Sequence, residues 1–167
     1  MSGAAFATVR GALLTTLALA LHAAEAAFPL PLPVPGIRLG LANSVNVWAV
    51  YHLPPVQALL VLLARVFLAA LLGGSGAALA FSLCGGLLSL TGMLALRRAR
   101  LGMRLCSICG GVLHNLGQLV AAVYLAGSPA LWGYLPFLLA AGAVCGALTG
   151  EAARLVSPRL KIGRRQH

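Results

Sequence analysis

Aspartate is absent from this sequence, and acidic residues of any kind number two, Glu25 and Glu151. Only 8% of the 167 residues are charged, against about a quarter in a soluble globular domain. So few carboxylates exclude a Mg²⁺ site of the kind that holds diphosphates, because hard cations take several oxygen ligands. A Walker-type phosphate loop is also missing, so any energy for transport must come from a partner or an ion gradient. Cysteine is sparse: Cys84, Cys106, Cys109 and Cys145. Cys106 and Cys109 have C-x-x-C spacing, yet no second pair, acidic ligand or nearby His completes a zinc site. In an apolar helix they read as small packing residues. No metal, cofactor or catalytic residue is expected.

Apolar side chains are what the sequence does contain. Hydrophobic residues make up 60% of the chain, the mean hydropathy is +0.97, and the apolar positions are strung into long runs. A hydrocarbon core of roughly 30 Å needs about 20 such residues per helix. The chain reads as one all-α integral membrane domain over 1–167, a six-transmembrane-helix bundle. Its spans are placed at about 8–28, 37–51, 56–72, 77–96, 105–126 and 131–153, with a basic tail over 154–167. The second is short for a full crossing. Between the first two, alternating prolines from Pro29 to Pro35 remove backbone donors and exclude a helix. An alternative reading takes the first span as a signal peptide, with Arg10, an apolar stretch and an Ala-rich cleavage-like site at 23–27. Cleavage would leave the other five spans oriented as before.

Lys and Arg number twelve. Arg10, the run Arg97, Arg98, Arg100 and Arg104, and the tail Arg159, Lys161, Arg164 and Arg165 all flank apolar runs. With the N-terminus inside, all of these are cytoplasmic and only Arg38 lies near the outer face, which is the positive-inside pattern. The expectation is a multi-pass protein of the cytoplasmic membrane, N-in and C-in, with the proline-rich loop extracellular. A strongly basic chain can signal nucleic acid; here the positions favour anionic headgroups of the lipid bilayer instead, and no nucleic-acid partner is expected.

Polar side chains in hydrocarbon cost several kcal/mol on common scales and usually face a cavity or a partner. Asn43 and Asn46 share a face of the second span. Arg65 stands among Leu, Val and Ala in the third. In the fifth, Arg104, Ser107, Gly111, His114 and Gln118 recur at three- and four-residue steps, with Asn115 at the flank. Counting ~1.5 Å per residue, Asn43, Asn46, Arg65, His114 and Gln118 reach similar depths in the outer half of the membrane. Together with Asn115 they form the candidate ligand-binding set, in an outward-opening cavity. Taken singly, such amides and imidazoles also serve as ordinary bonds between membrane helices. Arg65 has two readings, salt-bridge partner of Glu25 or anchor of an anionic ligand through paired hydrogen bonds.

Small residues recur at helical spacing in two places, Thr16, Ala20 and Ala24 in the first span and Ser75, Ser82 and Ser89 in the fourth. Each face suits close packing within the bundle or docking of another membrane subunit. Glu151 and Arg154, one turn apart, are expected to pair.

The strings Pro35-Gly36-Ile37-Arg38-Leu39-Gly40-Leu41-Ala42-Asn43 and His114-Asn115-Leu116-Gly117-Gln118-Leu119, with Arg65, Gly73-Gly74-Ser75 and Phe81-Ser82-Leu83-Cys84-Gly85-Gly86, resemble the Gx transporter family. That family is also labelled heptaprenyl diphosphate synthase component I, and the resemblance runs from about Leu17 to Gly150. Bundles of this size are similar to the S components of energy-coupling factor transporters. The resemblance implies binding and uptake of a small solute with a separate energising module, the candidate partners being a transmembrane T component and ATPases. It implies a lid in the proline-rich loop (Pro33, Pro35, Gly36 and Arg38) and a docking face of Thr16, Ala20 and Ala24. The label itself implies an alternative: a noncatalytic membrane component of heptaprenyl diphosphate synthase in menaquinone side-chain synthesis. A purely structural subunit of a membrane complex is the third reading.

Overall fold

The computed structural model describes residues 3–27, 42–72 and 75–158. The described residues are helical, with no strand among them. Helix α1 (Gly3–Ala27) is followed by α2 (Asn43–His52), α3 (Pro55–Leu71), α4 (Gly76–Arg98), α5 (Met103–Ala126) and α6 (Leu135–Val156), and a 3₁₀ segment (Pro129–Tyr134) leads into α6. The proline-rich loop, including Pro33, Pro35, Gly36 and Arg38, lies outside the described residues, as do the first part of the expected second span and the tail beyond Pro158.

Local chemistry explains the helix boundaries. Ser75 caps α4 by accepting a hydrogen bond from the Ala78 amide at 3.1 Å, which satisfies one of the free N–H groups of the first turn. Gly127 ends α5 in the left-handed region, at φ 59°, where the lack of a Cβ removes the steric penalty. Pro54 and Pro55 separate α2 from α3. Helix α4 ends in a pair of bonds, Arg100 N–H to Arg97 C=O at 2.9 Å and Leu101 N–H to Leu96 C=O at 3.1 Å, a Schellman closure. Arg100 holds the left-handed position there, at φ 61°.

Among the described residues, four helices are long and apolar enough to cross a membrane: α1, α4, α5, and α6 with its 3₁₀ lead-in. Helix α3 is apolar and shorter, at 17 residues, about 26 Å at ~1.5 Å per residue. The large apolar side chains of these helices face outward. Leu13, Leu71, Val144 and Leu148 are each at least 60% exposed, an arrangement that suits lipid rather than water. Six helices with this outer surface make a membrane protein.

Helix α2 is the opposite case. Seven of its ten residues are buried, and it touches every other α-helix. It is the axle of the bundle, with Val45, Val47, Trp48 and Val50 in a common apolar core with Leu62, Leu90 and Met93.

Four polar contacts tie one end of the bundle together. Arg10 donates to Gln57 Oε1 at 2.8 Å, Tyr51 donates to the Leu101 carbonyl at 2.5 Å, and Ser157 Oγ meets His52 Nε2 at 2.8 Å. The fourth joins Arg97 to the carbonyls of Val50 and Leu53. Its cause is in the sequence. The helical partner of the Val50 carbonyl would be the amide of residue 54, which is a proline and has no N–H. The Arg97 guanidinium supplies the missing donor at the negative end of α2. The start of α1, the α2–α3 junction and the ends of α4 and α6 therefore meet, and successive helices alternate in direction. Glu151 and Arg154 pair at this end, with Nη2 to Oε1 at 2.5 Å.

Candidate functional site

Of the polar residues expected to share a cavity, His114 and Gln118 lie together against α4. A methyl built on Gly85 of α4 would stand 2.7 Å from the His114 carbonyl oxygen, 2.9 Å from Gln118 Cγ and 3.1 Å from His114 Nδ1. The bare glycine surface is what lets His114 and Gln118 lie against α4. Arg65 joins them from α3. It is 6% exposed and interacts electrostatically with the His114 imidazole. Packing explains its position, because Leu62 sits on Gly86 and Arg65 is one turn further along α3. An imidazole and an amide of α5 thus lie against α4, with the Arg65 guanidinium within electrostatic range of the imidazole. This set can bind a carboxylate or phosphate by paired, charge-assisted hydrogen bonds.

Asn43 and Asn46 form a unit of their own on α2. Both are buried, and Asn46 Nδ2 donates to Asn43 Oδ1 at 3.3 Å. The Asn46 side-chain oxygen has no partner of its own among the described residues.

Asn115 is turned to a different neighbour. Its Nδ2 donates to the Leu138 carbonyl of α6 at 2.8 Å, a bond that ties two helices. The polar stripe of α5, expected as one face, is in fact divided between two interfaces. Ser107 and Gly111 lie against α6, whereas His114 and Gln118 lie against Gly85 of α4. Steps of three and four residues drift around a 3.6-residue helix, and two partners flank α5, so the stripe is split where the drift crosses from one to the other.

The α5–α6 interface is a glycine ladder. Gly142, Gly146 and Gly150 recur every four residues and pack on Gly111, Ser107 and the backbone of Arg104. A methyl on Gly142 would stand 2.7 Å from the Gly111 carbonyl oxygen, and one on Gly146 2.5 Å from that of Ser107. Ser107 and Thr149 bond across the same seam at 3.2 Å. This ladder was not expected, although small residues four apart in an apolar helix are its signal. Arg97 was likewise expected only as a cytoplasmic cation flanking an apolar run; the proline after α2 is the sequence signal for its role.

Thr16, Ala20 and Ala24 are exposed on α1, and the Thr16 hydroxyl is returned to the Ala12 carbonyl at 3.0 Å. Cys106 is buried and donates to the Met93 carbonyl at 3.3 Å. Among the described residues, no three His, Cys, Asp or Glu side chains gather in a metal-binding group.

Comparison with known proteins adds one positive result. The family model described as Heptaprenyl diphosphate synthase component I matches residues 14–156, nearly all of α1 through α6. No curated protein and no solved structure matches the chain. The chain belongs to the heptaprenyl diphosphate synthase component I family.

Proposed function

We propose, with that family membership as the premise, that the chain is a noncatalytic membrane component of a prenyl diphosphate synthase, acting beside a separate catalytic subunit. The observation that carries this reading is the distribution of carboxylates. Glu25 lies in the last turn of α1 and Glu151 near the end of α6. Because α1 and α6 finish at opposite ends of the bundle, the two cannot share a cation, and Mg²⁺ on a diphosphate needs oxygen ligands. The chemistry then falls to a soluble, aspartate-rich partner, and this chain contributes membrane attachment and binding groups.

In this account the chain crosses the cytoplasmic membrane six times, with both termini inside. Support comes from the basic residues, since Arg10, Arg97 and Arg154 belong to the helix ends that the polar contacts gather, as the positive-inside rule requires. Arg65, His114 and Gln118, with Asn43 and Asn46 nearby on the central helix, hold an anionic ligand.

A second reading is favoured by the same buried cluster. A guanidinium and an imidazole inside a membrane bundle suit capture of a small anionic solute, as in an S component. The exposed small-residue face at Thr16, Ala20 and Ala24 would then dock a T component that works with ATPases.

Gentle detergent extraction of the tagged chain from its own cells, with identification of what stays bound, separates the readings. Retention of an aspartate-rich prenyltransferase is the expected result. Retention of a membrane T component and ATPases transfers the assignment to solute uptake. A chain that emerges with neither contradicts both.

A further inference from the structure

The arginines at the closed end of the bundle divide into two groups. Arg10 bonds Gln57, Arg97 bonds the Val50 and Leu53 carbonyls, and Arg154 pairs with Glu151. These three have partners within the chain. Arg98, Arg100 and Arg104 are exposed, and none of their guanidiniums makes a hydrogen bond or salt bridge among the described residues.

Backbone geometry joins the second group into one surface. Arg98 closes α4 and Arg104 lies in the first turn of α5. The turn between them is fixed by the Arg100 and Leu101 amides, which bond back onto α4. A methyl on Gly150 of α6 would stand 3.2 Å from Arg104 Cα, so the start of α5 abuts the end of α6. The next residue, Glu151, is the only acid at this end, since Glu25 lies in the last turn of α1 at the other. Arg154 already occupies it. Positive-inside placement alone does not account for this pattern. It asks for cations near helix ends and is indifferent to which residue carries them. Arg100 stands in the left-handed region, at φ 61°, where a side chain is strained and glycine is not. A charge at Ala99, exposed and at φ −74°, would serve topology equally without that strain. The strained position carries a side chain with no contact inside the chain, which marks a role outside it.

We propose that Arg98, Arg100 and Arg104 form the docking surface for the soluble catalytic subunit, which meets them with an acidic face. The inference rests on the reading of this chain as the membrane component of a prenyl diphosphate synthase. It adds where the partner sits and by what chemistry. In that reading a soluble partner reaches only the cytoplasmic end, whose one carboxylate is already paired. The partner's contact charges are then negative, because like charges across an interface oppose docking. Guanidinium groups suit carboxylates through paired hydrogen bonds. Lipid headgroups are the competing occupant. Any cation at this depth would meet them as well, so they give Arg100 no reason for its backbone strain.

The test measures how much aspartate-rich prenyltransferase the full chain retains in mild detergent across a salt series. Wild type is expected to retain it at low salt and to lose it steeply as salt rises. Arg98→Gln, Arg100→Gln and Arg104→Gln combined should cut retention roughly tenfold or more. Arg10, Arg97 and the basic tail remain in that variant and keep its orientation. Arg100→Gly is the sharper variant, because it removes the charge and the strain together. Its unfolding midpoint should equal or exceed that of wild type, while retention falls about twofold to fivefold. Retention that ignores salt, or that is equal in the variants and wild type, overturns the proposal. Unchanged retention with loss of bound phosphatidylglycerol in native mass spectrometry also overturns it, and gives the arginines to lipid. A wild-type chain that retains no prenyltransferase overturns the synthase reading itself, and the docking surface with it.

Discussion

The two seams of α5 use one packing device for different ends. Toward α6 the chain lays Gly111 against Gly142 and Ser107 against Gly146; toward α4 it lays Gly117 against Gly85 and Gly110 against Met93. Both bring backbones within van der Waals reach, as small residues allow in a membrane. Their polar groups differ. On the α6 side Ser107 is bonded to Thr149 and Asn115 to the Leu138 carbonyl. On the α4 side Ser89 Oγ has no partner among the described residues. Close packing alone therefore does not distinguish the two seams. Polar satisfaction does.

The largest effect should come from breaking the shared device. Gly142→Val or Gly117→Val places side-chain atoms against backbone that cannot move aside, since the first added carbon is already 2.7 Å from a carbonyl oxygen in each case. Each is expected to cost about 3 kcal/mol or more, read as loss of the folded fraction in detergent unfolding. Equal tolerance of valine at both would show that the helices are looser than described.

Next in size is the bundle's closed end. Arg97→Met leaves the Val50 carbonyl beside Pro54 with no donor, and the expected loss is about 1–3 kcal/mol. An unchanged unfolding midpoint would show that water replaces the guanidinium there.

The contrast between seams is sharpest in the third prediction. Ser107→Ala and Asn115→Ala each remove a made bond and should cost about 1 kcal/mol. Ser89→Ala removes an unmade one and should leave stability unchanged or raise it. If all three lose equally in thermal unfolding of the ligand-free protein, the distinction between the seams disappears.

Smallest is Ala20→Leu on the outer face of α1. An exposed position of this kind shifts stability by no more than about 0.5 kcal/mol, so reduced recovery of a bound membrane partner with normal folding would mark α1 as a docking helix. Unchanged partner recovery would assign that face to lipid.

How far these features were legible in the sequence follows from their range. Helices α4 and α5 fall on the long apolar runs of the sequence. The shortness of α2 was visible from Pro54 and Pro55. Its central, buried position was not, because hydropathy reports that a segment is apolar and says nothing about its neighbours. The polar residues stand out in the sequence, whereas their partners do not. The separation of Asn115 from His114 depends on which helix lies on each side of α5, a fact of tertiary packing. The Gly142–Gly146–Gly150 repeat is legible in the sequence as small residues four apart.

The central claim is that Arg65 and His114 hold an anion inside a noncatalytic membrane bundle. Native mass spectrometry of the chain purified from its own membrane tests it most directly, with wild type and Arg65→Gln compared at equal folded fraction. The account predicts a retained small anionic molecule on the wild type that is absent from the variant. A molecule retained equally by both, or by neither, would contradict it.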